Sequence, residues 1–367
     1  MSDDTGIEWT DATWPITVGC TRTAPAGSQQ SGCGDASGGG CYAEQSVARV
    51  NRCQVGSGRP PPYADLVKLV KRGDRTVARW AGGAKFFPDR LSMPLAWRRP
   101  RRIFVSSQSD LFHESLTNEQ IAAVFGVMAA APRHTFQVLT KRARRMREWF
   151  AWVKKRADDG LAMFPDGDDS WRIGQMLSVS ARRAGAAVPH AGAAWPLPNV
   201  WLGVSAENQA AADERIPELL RTPAAVRWVS AEPLLGELDL LPWFDPTGTC
   251  DCPPGESYCV GGCAARADWR HTEPDGDDPR LDWIVAGCES GPGARPADVE
   301  WFRELRDQCE RAGVAYFLKQ AARRGGEWTD WKDVIGPGPG SKQKAGGLIG
   351  LPYLDGVQHA AFPEVTP

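Results

Sequence analysis

Short runs of β-branched and aromatic residues recur along the chain, each followed by polar or turn residues and then by a stretch with helical spacing. Ile7-Glu8-Trp9, Lys85-Phe86-Phe87, Ile103-Phe104-Val105, Phe136-Gln137-Val138-Leu139, Val200-Trp201-Leu202-Gly203-Val204, Val226-Arg227-Trp228-Val229, Trp283-Ile284-Val285-Ala286 and Tyr316-Phe317-Leu318 are the candidate strands, eight in all. Between them, Asn118 to Ala130 stands behind Thr117 with Gln120 three residues on, the pattern of a capping box. Tyr42-Ala43-Glu44 opens a second helix, and Asp298 to Ala312 puts Trp301, Leu305 and Cys309 on one face of a third. Strands alternating with helices imply βαβ units and a parallel sheet. Eight of them predict an α/β fold of the (β/α)8 or a related TIM-barrel type.

Three stretches break the alternation. Residues 158–198 hold a short acidic cluster and an Ala/Gly/Pro-rich run, 241–282 hold four cysteines, and the end of the chain is Gly/Pro-rich around Gly336-Pro337-Gly338-Pro339-Gly340. They read as two insertions, about 158–198 and 241–282, within a barrel spanning 1–320, and a tail over 321–367.

Composition then narrows the class. Of 367 residues 42% are apolar and 24% charged, ordinary globular usage that excludes wholesale disorder, collagen-like sequence and coiled coil. No apolar run approaches the ~20 residues that cross a bilayer, and the acidic opening Met1-Ser2-Asp3-Asp4 is the reverse of a secretory signal. A soluble cytoplasmic protein is expected. The net charge of −2 is unevenly spread: thirteen Lys/Arg face four Asp/Glu between Arg98 and Arg156. Arg98, Arg99, Arg101 and Arg102 before one strand and Arg142, Arg144, Arg145 and Arg147 after the next are candidates to track a phosphate backbone, the alternative being a solvated face with ordinary charge pairing.

In a parallel barrel the carboxyl ends of the strands form the active face, and here those ends are polar in succession. They read Ser106-Ser107-Gln108-Ser109-Asp110, Thr140-Lys141-Arg142, Ser205-Ala206-Glu207-Asn208, Ser230-Ala231-Glu232-Pro233, Gly287-Cys288-Glu289-Ser290-Gly291 and Lys319-Gln320. Any one could be a helix cap; six in register describe a polar pocket.

Ten cysteines in a reducing compartment point to metal rather than disulfides. Cys20, Cys33 and Cys41 follow the first strand in a Gly/Ser/Ala/Thr-rich loop, and three thiolates without a neighbouring histidine match a cluster with one open coordination site. Cys53 as a fourth ligand would instead make a four-cysteine zinc site. Cys250, Cys252, Cys259 and Cys263 form a dense second group, read as structural zinc, a second iron–sulfur cluster or free thiols. Histidines offer no nucleophile–base pair: His113 and His134 are isolated and read as structural. The glycines match neither a P-loop nor a dinucleotide fingerprint.

The stretch Thr5-Gly6-Ile7-Glu8-Trp9-Thr10-Asp11-Ala12-Thr13-Trp14, followed by Gly19-Cys20 and Cys41-Tyr42-Ala43-Glu44, resembles the phage and prophage three-Cys-motif proteins, a radical-SAM-like family. Further matches are Arg102 to Val105 running on to Ser109-Asp110-Leu111-Phe112-His113, Thr135 to Arg142, Trp201 to Ser205, Glu232-Pro233-Leu234-Leu235-Gly236, and Glu289 to Pro296. More distantly the pattern is similar to the radical-SAM branch of DNA photoproduct lyases. The resemblance implies a [4Fe–4S] cluster on Cys20, Cys33 and Cys41, with S-adenosylmethionine chelating the open iron and cleaved reductively to a 5′-deoxyadenosyl radical. Twelve and seven residues separate these cysteines, wider than is common in the family. Because they end successive strands, Asp110, Lys141, Ser205, Glu232 and Glu289 are expected to line the mouth, with Asp110, Lys141, Glu232 and Glu289 as catalytic candidates and Ser107, Ser205, Glu207, Ser230 and Tyr42 as cofactor contacts. A nucleic acid or nucleotide substrate, an electron donor and a separate partner protein are the expected partners. The competing reading is a zinc-stabilised nucleic-acid-binding protein without catalysis.

Overall fold

The computed structural model describes residues 5–23, 33, 41–72, 74–159, 168–189, 193–244, 280–290, 294–295, 297–322, 335–337, 340–343 and 348–364. The elements run β1 (Ala12–Trp14), β2 (Thr17–Val18), α1 (Tyr42–Gly56), β3 (Val67–Arg72), β4 (Arg75–Trp80), β5 (Lys85–Phe86), α2 (Met93–Ala96), β6 (Arg102–Val105), α3 (Asn118–Ala130), β7 (Thr135–Thr140), α4 (Ala143–Asp159), α5 (Asp169–Arg183), β8 (Val200–Ser205), α6 (Gln209–Leu220), β9 (Val226–Ala231), α7 (Leu241–Phe244), β10 (Trp283–Gly287), α8 (Val299–Ala312), β11 (Ala315–Ala322), β12 (Ile335–Gly336), β13 (Lys342–Gln343), β14 (Leu348–Gly350), β15 (Tyr353–Leu354) and β16 (Val357–Gln358).

The fold is mixed α/β around one nine-stranded sheet of order β1-β6-β7-β8-β9-β10-β11-β14-β13. The first seven strands pair in parallel, and β14 and β13 add antiparallel at the far edge. Among the described residues no ladder joins β1 to β13, so the sheet is curled and open rather than a closed barrel. Two expectations are corrected here. The first strand is Ala12–Trp14, not Ile7–Trp9, because the Trp9 side chain lies in the core and its carbonyl accepts from the Gln137 amide. Lys85–Phe86 does form a strand, but it pairs antiparallel with β2 outside the main sheet.

Parallel strands covered on both faces must be apolar on both, and alternate residues go to two cores. Ile103, Val138, Val204, Val229, Ile284 and Leu318 pack outward against the helices, together with Val124, Leu177, Ile216 and Leu305. Phe104, Trp201, Trp228, Trp283 and Phe317 point the other way and join Trp9 in an aromatic core on the opposite face of the sheet. Trp228 stands 5.2 Å from both Trp9 and Trp283, centroid to centroid. The expected capping box of α3 is present in both directions, Gln120 N to Thr117 Oγ1 and Thr117 N to Gln120 Oε1. Within the stretch 158–198, Asp168 caps α5, whose Ile173, Leu177 and Ala181 are buried against α3. Gly126 allows this contact, since a Cβ there would lie 2.3 Å from the Leu177 carbonyl oxygen.

The stretch 321–367 also joins the fold. Besides β14, it forms the β15–β16 hairpin, whose turn residues Asp355 and Gly356 both take positive φ, as primed hairpin turns require. The Asp355 carboxylate accepts from Arg303 at 2.6 Å and from Arg306 at 2.6 Å, tying the hairpin to α8. The Arg303 hydrogen bond, followed by that of Arg306, lowers its pKa to about 2. Because the folded value lies below the unfolded one, this contribution is complete above the ordinary aspartate pKa and is lost as pH falls towards 2. Thermal melts of wild type and Asp355→Asn should therefore differ at pH 5 and converge between about pH 4 and 2. A difference that holds constant over that window would remove the anchor.

Candidate functional site

Cys20 and Cys41 are brought together by the loop that follows β6. Ser106 opens that loop, buried and at φ 58, a conformation costly for a residue with a Cβ and met most often at functional sites. Its hydroxyl accepts from Thr17 Oγ1 at 2.7 Å. Gly19 N donates to the Gln108 carbonyl and Ser109 Oγ to the Gly19 carbonyl, at 3.2 and 2.6 Å, which pins the residue before Cys20. Gly19 has φ 97, and a Cβ would meet the Gly83 carbonyl oxygen at 2.7 Å, so the Gly19-Cys20 pair needs its glycine. From the other side, Tyr42 Oη donates to the Ser107 carbonyl and Gln108 Nε2 to Ser46 Oγ, fastening the start of α1 to the same loop. Buried Glu44 completes the staple, accepting from Arg22 at 2.8 Å and from Trp80 N at 3.1 Å.

Cys33 belongs to the same group: Thr23 Oγ1 stands 3.7 Å from its sulfur, and its charge raises the pKa of both Cys20 and Cys41. Burial pushes the Cys20 thiol up to about 12, with Asp110 adding to it, and the Cys41 thiol up to about 11, with Cys33 adding to it. Left to themselves these thiols hold their protons at neutral pH, and a metal centre would displace them. Among the described residues no group of three or more His, Cys, Asp or Glu side chains is disposed to hold a metal ion.

Buried Arg142 ties the thiols to the sheet. It donates from Nη1 to Cys20 Sγ at 3.6 Å and to Asp110 Oδ2 at 3.2 Å, from Nη2 to Thr21 Oγ1 at 2.8 Å, and from Nε to Glu114 Oε1 at 2.8 Å. Asp110 also accepts from Phe112 N, Thr140 Oγ1 and Lys141 N, at 3.0, 2.7 and 3.1 Å. With four bonds its carboxylate positions the loop around Cys20 and has no lone pair directed to a ligand. His113 Nδ1 accepts from Ser115 N at 3.1 Å, which leaves the proton on Nε2 for Thr21 Oγ1 at 3.0 Å. Burial, then the Arg142 charge, lowers its pKa, so it is a neutral structural histidine.

The remaining strand ends form charged pairs. Lys141 Nζ and Arg215 Nη1 both donate to Glu207 Oε2 at 2.9 Å, and Arg215 donates to the Ser205 carbonyl at 2.8 Å. Lys319 Nζ stands 2.7 Å from Glu232 Oε1, with Ser230 Oγ 3.4 Å from Glu232 Oε2. Gly287 makes room for that carboxylate, since a Cβ would lie 2.7 Å from it. Glu289 accepts three bonds from Arg295. Tyr42 is 57% exposed, yet its phenol pKa is raised by surrounding protein and by the charges of Cys41 and Glu232. Tyr42 thus stands between the Cys41 thiol and the Glu232 carboxylate that follows β9.

A family model described as a protein of unknown function, DUF5131, matches residues 4–363. The chain belongs to the DUF5131 family. No curated protein and no solved structure matches it. Among the described residues no helix of this DUF5131 chain is long and apolar enough to cross a membrane.

Two sequence alternatives change with the geometry. Cys53 is exposed and lies twelve residues along α1 from Cys41, about 18 Å at 1.5 Å per residue, too far to share an ion with it. The two arginine groups form no continuous track: Arg102 begins β6, whereas Arg142 follows β7, and parallel strands put those positions at opposite ends of the sheet. Arg142 is buried, Arg144 and Arg147 pair with Glu148 and Glu218, and Arg145 donates to Asn118. Cys250, Cys252, Cys259 and Cys263 lie outside the described residues. What the sequence reading missed is the positioning work of Gly19, Gln108, Ser109 and Arg142; the adjacency of Gly19 to Cys20 was the available signal.

Proposed function

We propose that this DUF5131 protein is a radical S-adenosylmethionine enzyme acting on a nucleic acid or nucleotide, in the manner of the phage three-Cys-motif proteins it resembles. The observation that carries the reading is the gathering of Cys20, Cys33 and Cys41 at the carboxyl edge of an open parallel sheet, where Tyr42 is fastened to the loop after β6. An open sheet suits a partial barrel of the radical-SAM type, in which a substrate enters from the side.

The donor set fits a [4Fe–4S] cluster held by Cys20, Cys33 and Cys41. Thiolates of a cluster bind different irons, so they need only face one space rather than crowd a single ion. When bound, that cluster with S-adenosylmethionine supplies a 5′-deoxyadenosyl radical. The chain's own residues do the rest. Arg142 sets a fixed positive charge against the Cys20 sulfur, which favours its thiolate. Asp110 holds Arg142 and the loop in place. Tyr42, Ser107 and the Glu232–Lys319 pair form the wall beside the thiols, while Lys141, Ser205 and Glu207 continue it around the sheet edge, where polar ligand groups meet charges already held in place.

The test is anaerobic. Reconstituted protein should be brown, carry roughly four irons at this site, and release 5′-deoxyadenosine when reduced with S-adenosylmethionine. Colourless protein with zinc on these cysteines, or iron-loaded protein that leaves S-adenosylmethionine intact, would overturn the reading.

A further inference from the structure

The hairpin β3–β4 is the part of the molecule that the site leaves unexplained. Its root is fixed in the same apolar cluster as the cysteines: Trp80 and Leu66 are buried with Val18, Ala43 and Val47, and Val67, Cys20 and Cys41 pack against them. Away from the root it is exposed, with Lys68, Leu69, Val70, Lys71 and Thr76 open to solvent. Leu69 is 57% and Val70 38% exposed, both large apolar residues on a two-stranded ribbon that packs against α1.

The charge of this module differs from that of the chain. Residues 41–80 carry eight Lys/Arg against three Asp/Glu, in a protein of net charge −2. One of the three acids, Glu44, is buried and neutralised by Arg22 and Arg79. The register places Lys68 and Val70 on one side of the ribbon, opposite Arg79 and Val77. Lys71 belongs to the other side, and among the described residues no ion pair engages Lys68 or Lys71. On α1, Arg49 and Arg52 are exposed as well.

We propose that the β3–β4 hairpin is a DNA-binding arm that enters the major groove of a duplex and holds it over the three-cysteine site. This deepens the functional reading above and rests on it for the purpose of the contact. Each strand has six residues, about 20 Å of ribbon, and the B-form major groove, about 12 Å wide, admits a two-stranded β-ribbon. The deep, narrow major groove of A-form RNA does not admit side chains. Lys68 and Lys71 meet the phosphates on either wall, and Leu69, the more exposed of the two apolar residues, is placed to meet thymine methyl groups.

The test is fluorescence anisotropy of a labelled random-sequence duplex at several salt concentrations. Wild type should bind with a steep negative slope of log affinity on log salt. Lys68→Ala/Lys71→Ala should reduce that slope by about two and the affinity at low salt by about tenfold or more. Leu69→Ala should weaken binding with the slope unchanged, since an apolar contact releases no ions. Arg98→Ala/Arg99→Ala, at the other end of the sheet, should bind as wild type does. Iron content and circular dichroism of each variant establish that the fold is retained. Equal slopes for wild type and the lysine variant, absence of duplex binding at low salt, or tighter binding of RNA than of duplex DNA would overturn the arm. Those outcomes leave the cluster assignment standing. Conversely, iron-free protein that still binds DNA through Lys68 and Lys71 would refute the enzyme and keep the arm.

Discussion

Replacing Cys20, Cys33 or Cys41 by alanine is expected to strip the reconstituted protein of most of its iron and colour, while Cys53→Ala keeps both. Three thiolates are the fewest that hold a four-iron cluster with one iron left open, so removing any one leaves two, and the loss should be nearly complete rather than proportional. The surroundings of the thiols bear on whether the variants fold. Cys20 is tied to the sheet through Arg142 and through the Gly19–Ser109 contacts, whereas Cys41 sits at the N-cap of α1 among Val18, Ala43 and Val47. Neither thiol is a large part of the core, so the alanine variants should stay folded, with circular dichroism matching wild type. Iron analysis and visible absorption after anaerobic purification read the outcome. Retention of iron in any one of the three variants would take that cysteine out of the ligand set. Loss of iron in Cys53→Ala would contradict the ~18 Å that the helix puts between Cys53 and Cys41.

Much of the architecture could be read from the chain because it is locally encoded. The strands β7 to β10 are buried on both faces and are written as nearly continuous apolar runs, and α3 carries its capping box within four residues. Sheet closure is different, because alternation of strands and helices is the same whether or not the first strand meets the last. Beyond β11 the sheet is extended by β14 and then β13, both from the stretch read as a tail. The β3–β4 hairpin escaped notice because Val-Lys-Leu-Val-Lys-Arg satisfies neither strict alternation nor helical spacing, and its apolar positions are in part exposed. At the site, the cysteines were legible from their chemistry alone. Arg142 was not, since a charge within a basic run looks like surface, and its partners Cys20 and Thr21 are more than a hundred residues away in sequence.

Gly203→Ala should be among the most damaging single-methyl additions in the protein. Gly203 lies in the middle of β8, where a β-propensity argument favours any residue with a side chain. Its Cβ, however, would stand 2.4–2.6 Å from three indole atoms of Trp228. That ring has nowhere to go: it is fully buried, with Trp9 and Trp283 against it. The backbone is equally fixed, because Gly203 pairs with Leu139 on one side and Trp228 on the other in a parallel ladder. Relief therefore requires the strands to part or the aromatic cluster to shift, and the expected cost is about 3 kcal/mol, the upper part of the usual range for overpacking. If the clash is the cause, shrinking the neighbour should relieve it, so Gly203→Ala in a Trp228→Leu background should cost well under half as much, a coupling readable in a double-mutant cycle from urea unfolding. Because Trp228 is two residues before Ser230 on the same side of β9, and Glu232 follows that strand directly, its displacement should also move the polar wall next to the thiols. Additive costs in the cycle would mean that Gly203 is required for some reason other than the room it leaves for Trp228.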